Sequence, residues 1–209
     1  MDNFESIKLY VFDINNLESN FLNLAYITEE DKMNALKFKN IKDQKQHIIS
    51  SYFKRKYIKD FFIDDNKKPK SNSIFFNISH SENLVGIAIG NVELGLDIEY
   101  KNKERKKDLI NYTCNEEEIK FINDESDFYK LWTSKESLLK CLGTGLVNNI
   151  KEVNALPLDG IKKYRDNVFY SHYIDYLDYS ISVTIKGDKN FNFRIVIEEV
   201  AYGKEVSII

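Results

Sequence analysis

Residues 128–146 read FYKLWTSKESLLKCLGTGL. At 100° per residue, Phe128, Leu131, Trp132, Leu139 and Leu142 form one apolar stripe, which predicts a helix over 128–142. Gly143 and Gly145 follow it as stop signals, and Asp127 or Ser126 is placed to cap its start. Lys135 falls inside the stripe, so its charge needs either a partner or a route to solvent along the stripe edge. Beside the stripe run Tyr129, Thr133, Glu136 and Lys140. Glu136 and Lys140 stand four apart in the order that favours a helical ion pair. Taken alone, that pair reads as a solvated helix surface.

A second segment changes the reading. Strands are predicted over 74–79, 84–89 and 92–99, with Gly90-Asn91 as a turn. In the third strand Leu94, Leu96 and Ile98 point one way, and Gly95, Asp97 and Glu99 the other. The two carboxylates then share a face with their α-carbons roughly 6–7 Å apart. Such neighbours repel unless a cation lies between them or water surrounds them.

Outward from these two segments the pattern is mixed helix and sheet. Alternation over 7–12 predicts a first strand, and Thr28-Glu29-Glu30-Asp31 a capping-box start. A basic helical region, with room for one break, runs on to about residue 62, with Ala35, Leu36, Ile48, Ile49, Tyr52, Phe53 and Tyr57 as its core face. Residues 113–122 predict a short helix, and 148–160 look irregular. Strands are predicted over 168–174, 179–185 and 191–200. The polar-turn-then-strand pattern of 83–90 recurs at 178–187, as two similar α+β halves would give. The charged run 100–108 marks the boundary, giving halves 1–100 and 101–209.

Bulk properties narrow the function. A net charge of −3 over 209 residues argues against nucleic acid as a partner, so an anion site must be a local cluster of lysines. No run of about 18 apolar residues predicts a membrane span. The N-terminal residues carry no basic-then-apolar leader pattern, so a cytoplasmic protein is expected. Cys114 and Cys141 have no metal-ligand spacing and read as free thiols.

Three blocks now stand in order: Asn77-Ile78-Ser79-His80-Ser81, Gly95-Leu96-Asp97-Ile98-Glu99, and Trp132-Thr133-Ser134-Lys135-Glu136-Ser137 with Lys140 and Gly143-Thr144-Gly145. Together they resemble the 4′-phosphopantetheinyl transferases of the surfactin-synthetase-activating type, over about residues 38–185. The resemblance implies an α+β fold of two similar halves related by a pseudo-twofold axis, with the active site between them in a monomer. It implies transfer of the 4′-phosphopantetheine arm of coenzyme A to a serine of an apo acyl carrier or peptidyl carrier protein, releasing adenosine 3′,5′-bisphosphate. The carrier would serve fatty acid, polyketide, nonribosomal peptide or lysine synthesis. The implied metal is Mg²⁺, with Mn²⁺ as a substitute, held by Asp97, Glu99 and Glu136. Glu136 would also be the base and Lys140 would face the diphosphate. Lys135 would anchor the helix to the other lobe or reach the metal carboxylates.

For coenzyme A, the resemblance points to Ser79 and His80 at its phosphates and to Lys68 and Pro69 near the adenine and 3′-phosphate. Lys67-Lys68-Pro69 lacks the glycine of the family's loop. The family's arginine in the first helical region is matched here by Gln46, with Lys45 adjacent and Lys37 and Lys39 as further candidates. Either Lys45 acts in a shifted register or 3′-phosphate binding is weaker. The basic region 32–59 would steer an acidic carrier. Two rival readings use the same residues: a phosphoester hydrolase on the same carboxylates with water as acceptor, and a non-catalytic relative that binds carrier or coenzyme A.

Overall fold

The structure is a computed structural model that describes residues 6–63, 69–101, 107–145, 149–188 and 192–198. Strand β1 (Ser6–Asp13) leads through two short 3₁₀ turns to α1 (Glu29–Ala35) and α2 (Ile41–Tyr57). A two-stranded ribbon, β2 (Phe62–Ile63) with β3 (Pro69–Lys70), precedes β4 (Phe75–Ser81), β5 (Leu84–Gly90) and β6 (Leu94–Tyr100). Then come α3 (Lys107–Thr113), α4 (Glu116–Phe121) and α5 (Glu125–Leu142). Strands β7 (Gly160–Tyr164), β8 (Asn167–Tyr176), β9 (Tyr179–Lys186) and β10 (Asn192–Ile197) complete the order.

Two four-stranded sheets form, ordered β10-β1-β5-β4 and β6-β9-β8-β7. Their strands do not follow the division at residue 100. β6 pairs antiparallel with β9 in the second sheet, and β10 returns to lie parallel to β1 in the first. The sheets pack face to face. Ile7, Leu9, Val11, Leu84 and Ala88 meet Leu94, Leu96, Ile98, Ile181 and Val183 in one buried cluster. On the outer face of the first sheet, Ile48, Ile49 and Phe53 of α2 bury against Phe12, Val85 and Ile87. On the outer face of the second sheet lies α5.

That last contact is unusually close and polar. Ser137 Oγ donates to Ser182 Oγ at 3.0 Å and lies 2.7 Å from Thr184 Oγ1. A Cβ on Gly95 would sit 2.0 Å from the Ser137 carbonyl and 2.4 Å from the Cys141 amide nitrogen. Only a glycine there lets α5 lie flat on β6.

Several expectations need correction. Helix α5 starts one turn earlier than its apolar stripe suggests. Asp124 is the cap, accepting from the Ser126 and Asp127 amides, and Asp127 completes the box as the third helical residue. Gly143 ends the helix in the left-handed conformation, φ 78°, as predicted. Leu36 is not core: α1 has ended and its side chain is 57% exposed. Residues 160–164 form β7, because Lys162 and Tyr164 turn inward.

Lys135 reaches neither the other half nor the carboxylates of the DxE strand. It is buried in an ion pair with Glu118 of α4 at 2.7 Å, and its ammonium also donates to the Thr113 and Ile150 carbonyls. Glu118 is further saturated by the Asn115 and Ala155 amides. Breaking such a pair from one side strands a buried charge. Lys135→Met is expected to lower unfolding free energy by about 3–5 kcal/mol. Urea denaturation checks this, and Glu118→Gln added to Lys135→Met should recover part of the loss.

Candidate functional site

Strands β4 and β6 are the facing edges of the two sheets, so each presents backbone groups without a strand partner. Side chains of β4 close the gap. Asn77 Oδ1 accepts from the Leu96 amide (3.2 Å), Ser79 Oγ from Ile98 (3.2 Å) and Ser81 Oγ from Tyr100 (3.0 Å). The three residues alternate along β4, and so do the amides they meet along β6. The serine hydroxyls then donate onward, Ser79 to Asp97 Oδ1 at 3.2 Å and Ser81 to Glu99 Oε2 at 3.1 Å. The two carboxylates predicted to share a strand face are therefore aimed by the neighbouring sheet.

Helix α5 supplies the rest. Trp132 Nε1 donates to Glu99 Oε1 at 3.2 Å. Lys140 Nζ donates to Asp97 Oδ1 at 2.6 Å and to Ser79 Oγ at 3.0 Å. Lys140 thus turns from its helical neighbour Glu136 towards Asp97, the more deeply buried of the two carboxylates. Ser79, His80, Asp97, Glu99, Trp132, Glu136 and Lys140 line one cavity of ≈ 310 Å³.

The electrostatics of this cavity are those of crowded acids. Burial, then the neighbouring Asp97 charge, pushes the Glu99 carboxyl up to about 7. The same two causes raise Glu136. Burial raises Asp97 too, although Lys140 opposes it. Burial and Lys140 hold His80 below the usual imidazole range. Asp97 Oδ2 and Glu136 Oε1 are buried without a hydrogen-bond donor. Two buried carboxylate oxygens lacking donors, beside a third acid, form an all-oxygen set of the kind a hard divalent cation takes. Among the described residues, no three His, Cys, Asp or Glu side chains already converge as a ligand cluster.

A larger cavity of ≈ 380 Å³ adjoins the first through Ile78 and Lys140. Pro69, Lys70, Ser71, Phe75, Asn77, Glu93 and the end of α5 line it. Of the expected coenzyme A residues, Pro69 thus lies in this cavity and Ser79 and His80 in the smaller one. Ser79 is buried, with its oxygen engaged by Asp97, Ile98 and Lys140. Lys68 falls outside the described residues. Lys37 is exposed and bonds Asn34, and Lys45 donates to the Ile14 carbonyl at 3.3 Å, so neither lines the two cavities. Gln46 is buried and donates to the Glu82 carbonyl at 2.7 Å, bracing the β4–β5 turn. Cys141 and Cys114 form no disulfide, and burial pushes the Cys141 thiol up to about 12.

Residues 93–186 match the family model described as the 4′-phosphopantetheinyl transferase superfamily. This part of the chain is similar to that superfamily. It contains Asp97, Glu99, Glu136 and Lys140, all four members of the acid–lysine cluster. The chain is also 29% identical over 148 residues to 4′-phosphopantetheinyl transferase gsp of Aneurinibacillus migulanus, across 61% of this chain and 60% of that protein. It is 29% identical over 109 residues to the "Putative 4′-phosphopantetheinyl transferase" of Haemophilus influenzae, across 48% of this chain and 43% of that protein. The chain therefore spans less than two thirds of the length of either relative. No helix among the described residues is long and apolar enough to cross a membrane.

Trp132 and Ser81 were missed as site residues by sequence reasoning. Both stand in the three motif blocks, but neither was given a role there, and Trp132 was otherwise counted towards the apolar stripe. The matching two-residue periods of Ser-x-Ser and Asp-x-Glu were the available signal.

A pH prediction follows from Glu99. Its carboxyl is raised in the folded protein, so its contribution to stability is complete below about pH 4.5 and lost as pH rises through about 7. In chelator-treated protein, the stability of Glu99→Gln relative to the parent should grow by about 2–3 kcal/mol from pH 4.5 to 8. Urea unfolding at several pH values measures it, and a pH-independent difference contradicts the buried-acid geometry.

Proposed function

We propose that this chain transfers the 4′-phosphopantetheine arm of coenzyme A to a serine of an apo carrier protein, dependent on Mg²⁺ and releasing adenosine 3′,5′-bisphosphate. The carrying observation is the convergence of Asp97, Glu99, Glu136 and Lys140 on one cavity, with two buried carboxylate oxygens lacking donors, inside the family-matched region. Asp97, Glu99 and Glu136 would hold the cation. When bound, it would neutralise charge on the diphosphate oxygens.

The chain's own groups account for the remaining chemistry. The carrier serine oxygen forms a bond to the β-phosphorus while the bridging oxygen–phosphorus bond to the adenosine bisphosphate breaks. Glu136 accepts the serine proton, a role suited to a carboxyl raised by burial beside Asp97. Lys140 stands where the two cavities meet and offers its ammonium to the departing phosphate. The larger cavity, with Pro69 on its wall, takes the nucleotide end of coenzyme A, and His80 faces the phosphates from β4. Lys68 is the remaining proposed contact there, whereas Lys37 and Lys45, which line neither cavity, would meet coenzyme A only where it extends beyond them. Both cavities are built within one chain, which supports action as a monomer. We further propose that the two sheets, each carrying a long helix, are the similar halves of a pseudo-twofold fold, in a cytoplasmic enzyme acting on acyl or peptidyl carriers.

Two variants test the assignment. Glu136→Gln should reduce the transfer rate at least 100-fold without lowering the unfolding midpoint. Asp97→Ala should both slow transfer and shift the Mg²⁺ titration to higher concentration. Initial rates of coenzyme A consumption with an apo carrier measure both. Normal turnover by Glu136→Gln, or an unmoved Mg²⁺ titration in Asp97→Ala, contradicts the proposal.

A further inference from the structure

The cluster contains one geometric unit twice. Ser79 accepts from the Ile98 amide and donates to Asp97, and Ser81 accepts from the Tyr100 amide and donates to Glu99. In each case the serine oxygen is fixed by a backbone amide, so its own proton points at the carboxylate. The second unit has an added arm. Glu99 Oε1 takes the indole N–H of Trp132 at 3.2 Å while Oε2 takes the Ser81 hydroxyl at 3.1 Å. Asp97 has Lys140 on one oxygen and nothing on the other. Glu99 is therefore the acid held at both ends, on one side by the first sheet and on the other by α5. The indole stacks on Phe128 at 6.1 Å between centroids, 11° between planes, which fixes its direction.

We propose that Ser81 and Trp132 are positioning residues that clamp the Glu99 carboxylate in one orientation to receive a divalent cation. The proposal rests on the metal reading above. Each hydrogen bond occupies only one lone pair of its oxygen, so each oxygen keeps another for the ion. An uncharged donor pair also steadies the acid without supplying the charge that would compete with a cation, unlike Lys140 on Asp97. Removing such outer partners weakens metal binding by about 10–100-fold where they orient a ligand.

The test uses the full-length protein and Mn²⁺ as probe, with free ion counted by its electron paramagnetic resonance signal, a readout independent of turnover. Mg²⁺ competition confirms a shared site. Trp132 is the chain's single tryptophan, so quenching of its fluorescence by Mn²⁺ reports the same event optically. Ser81→Ala and Trp132→Phe should each raise the Mn²⁺ dissociation constant at least 10-fold, Ser81→Thr should stay within about threefold of the parent, and Glu99→Gln should lose the site. Should Ser81→Ala fail to fold, the Trp132→Phe and Ser81→Thr pair carries the same comparison. Parent-like affinity in Ser81→Ala and Trp132→Phe, with binding lost in Glu99→Gln, overturns the clamp and leaves the metal reading standing. No Mn²⁺ binding by the parent, or binding indifferent to Glu99→Gln, overturns both.

Discussion

Everything at this site depends on how two sheet edges are joined. An edge strand carries amides that must be satisfied or wetted. Here β6 satisfies three of them with Asn77, Ser79 and Ser81 of β4 rather than with another backbone. A backbone ladder would have fused the sheets and left no opening. A side-chain ladder links the two edges and leaves hydroxyl protons over, which fall on Asp97 and Glu99. The joint between the sheets and the placing of the acids are thus one interaction.

The second constraint is the approach of α5. Gly95 removes the one Cβ that would hold the helix off, and Ser137, Ser182 and Thr184 give the interface small, mutually bonded side chains. Glu136 and Lys140 can then reach the same cavity as Asp97 and Glu99. Three raised acids and one ammonium within a small volume are electrostatically unfavourable to assemble, and their mutual repulsion is relieved only in part by Lys140. Such an arrangement suits a cation that arrives with an anionic substrate and balances it.

How far the sequence foretold this depends on the range of the interaction. Local periodicity exposed β4, β5, β6, β8 and β9, the stripe of α5 and its glycine stop, because those signals repeat within a few residues. The Asp-x-Glu face was legible as a spacing pattern, and its meeting with Glu136 and Lys140 came only as an implication of the three-block resemblance. Long-range choices were not. Nothing near Lys135 announces Glu118, whose neighbours Glu116 and Glu117 look equally able to pair. Lys140 could not be seen to prefer Asp97, forty-three residues away, over Glu136, one turn away. The pairing of β10 with β1 needs the whole chain, so a boundary read from the charged run 100–108 does not describe which strands share a sheet. β7 was missed because GIKKY alternates around a lysine that is buried. Gln46 was noticed as a departure, but its bond to the Glu82 carbonyl came only with the structure.

The central claim is that this cluster of acids and lysine performs phosphopantetheinyl transfer. The most direct measurement is the intact mass of an apo carrier protein after incubation with the chain, coenzyme A and Mg²⁺. The account predicts a gain of one phosphopantetheine arm on the carrier, abolished when the metal is chelated. An unchanged carrier mass across several acyl and peptidyl carriers, with coenzyme A bound, would contradict it.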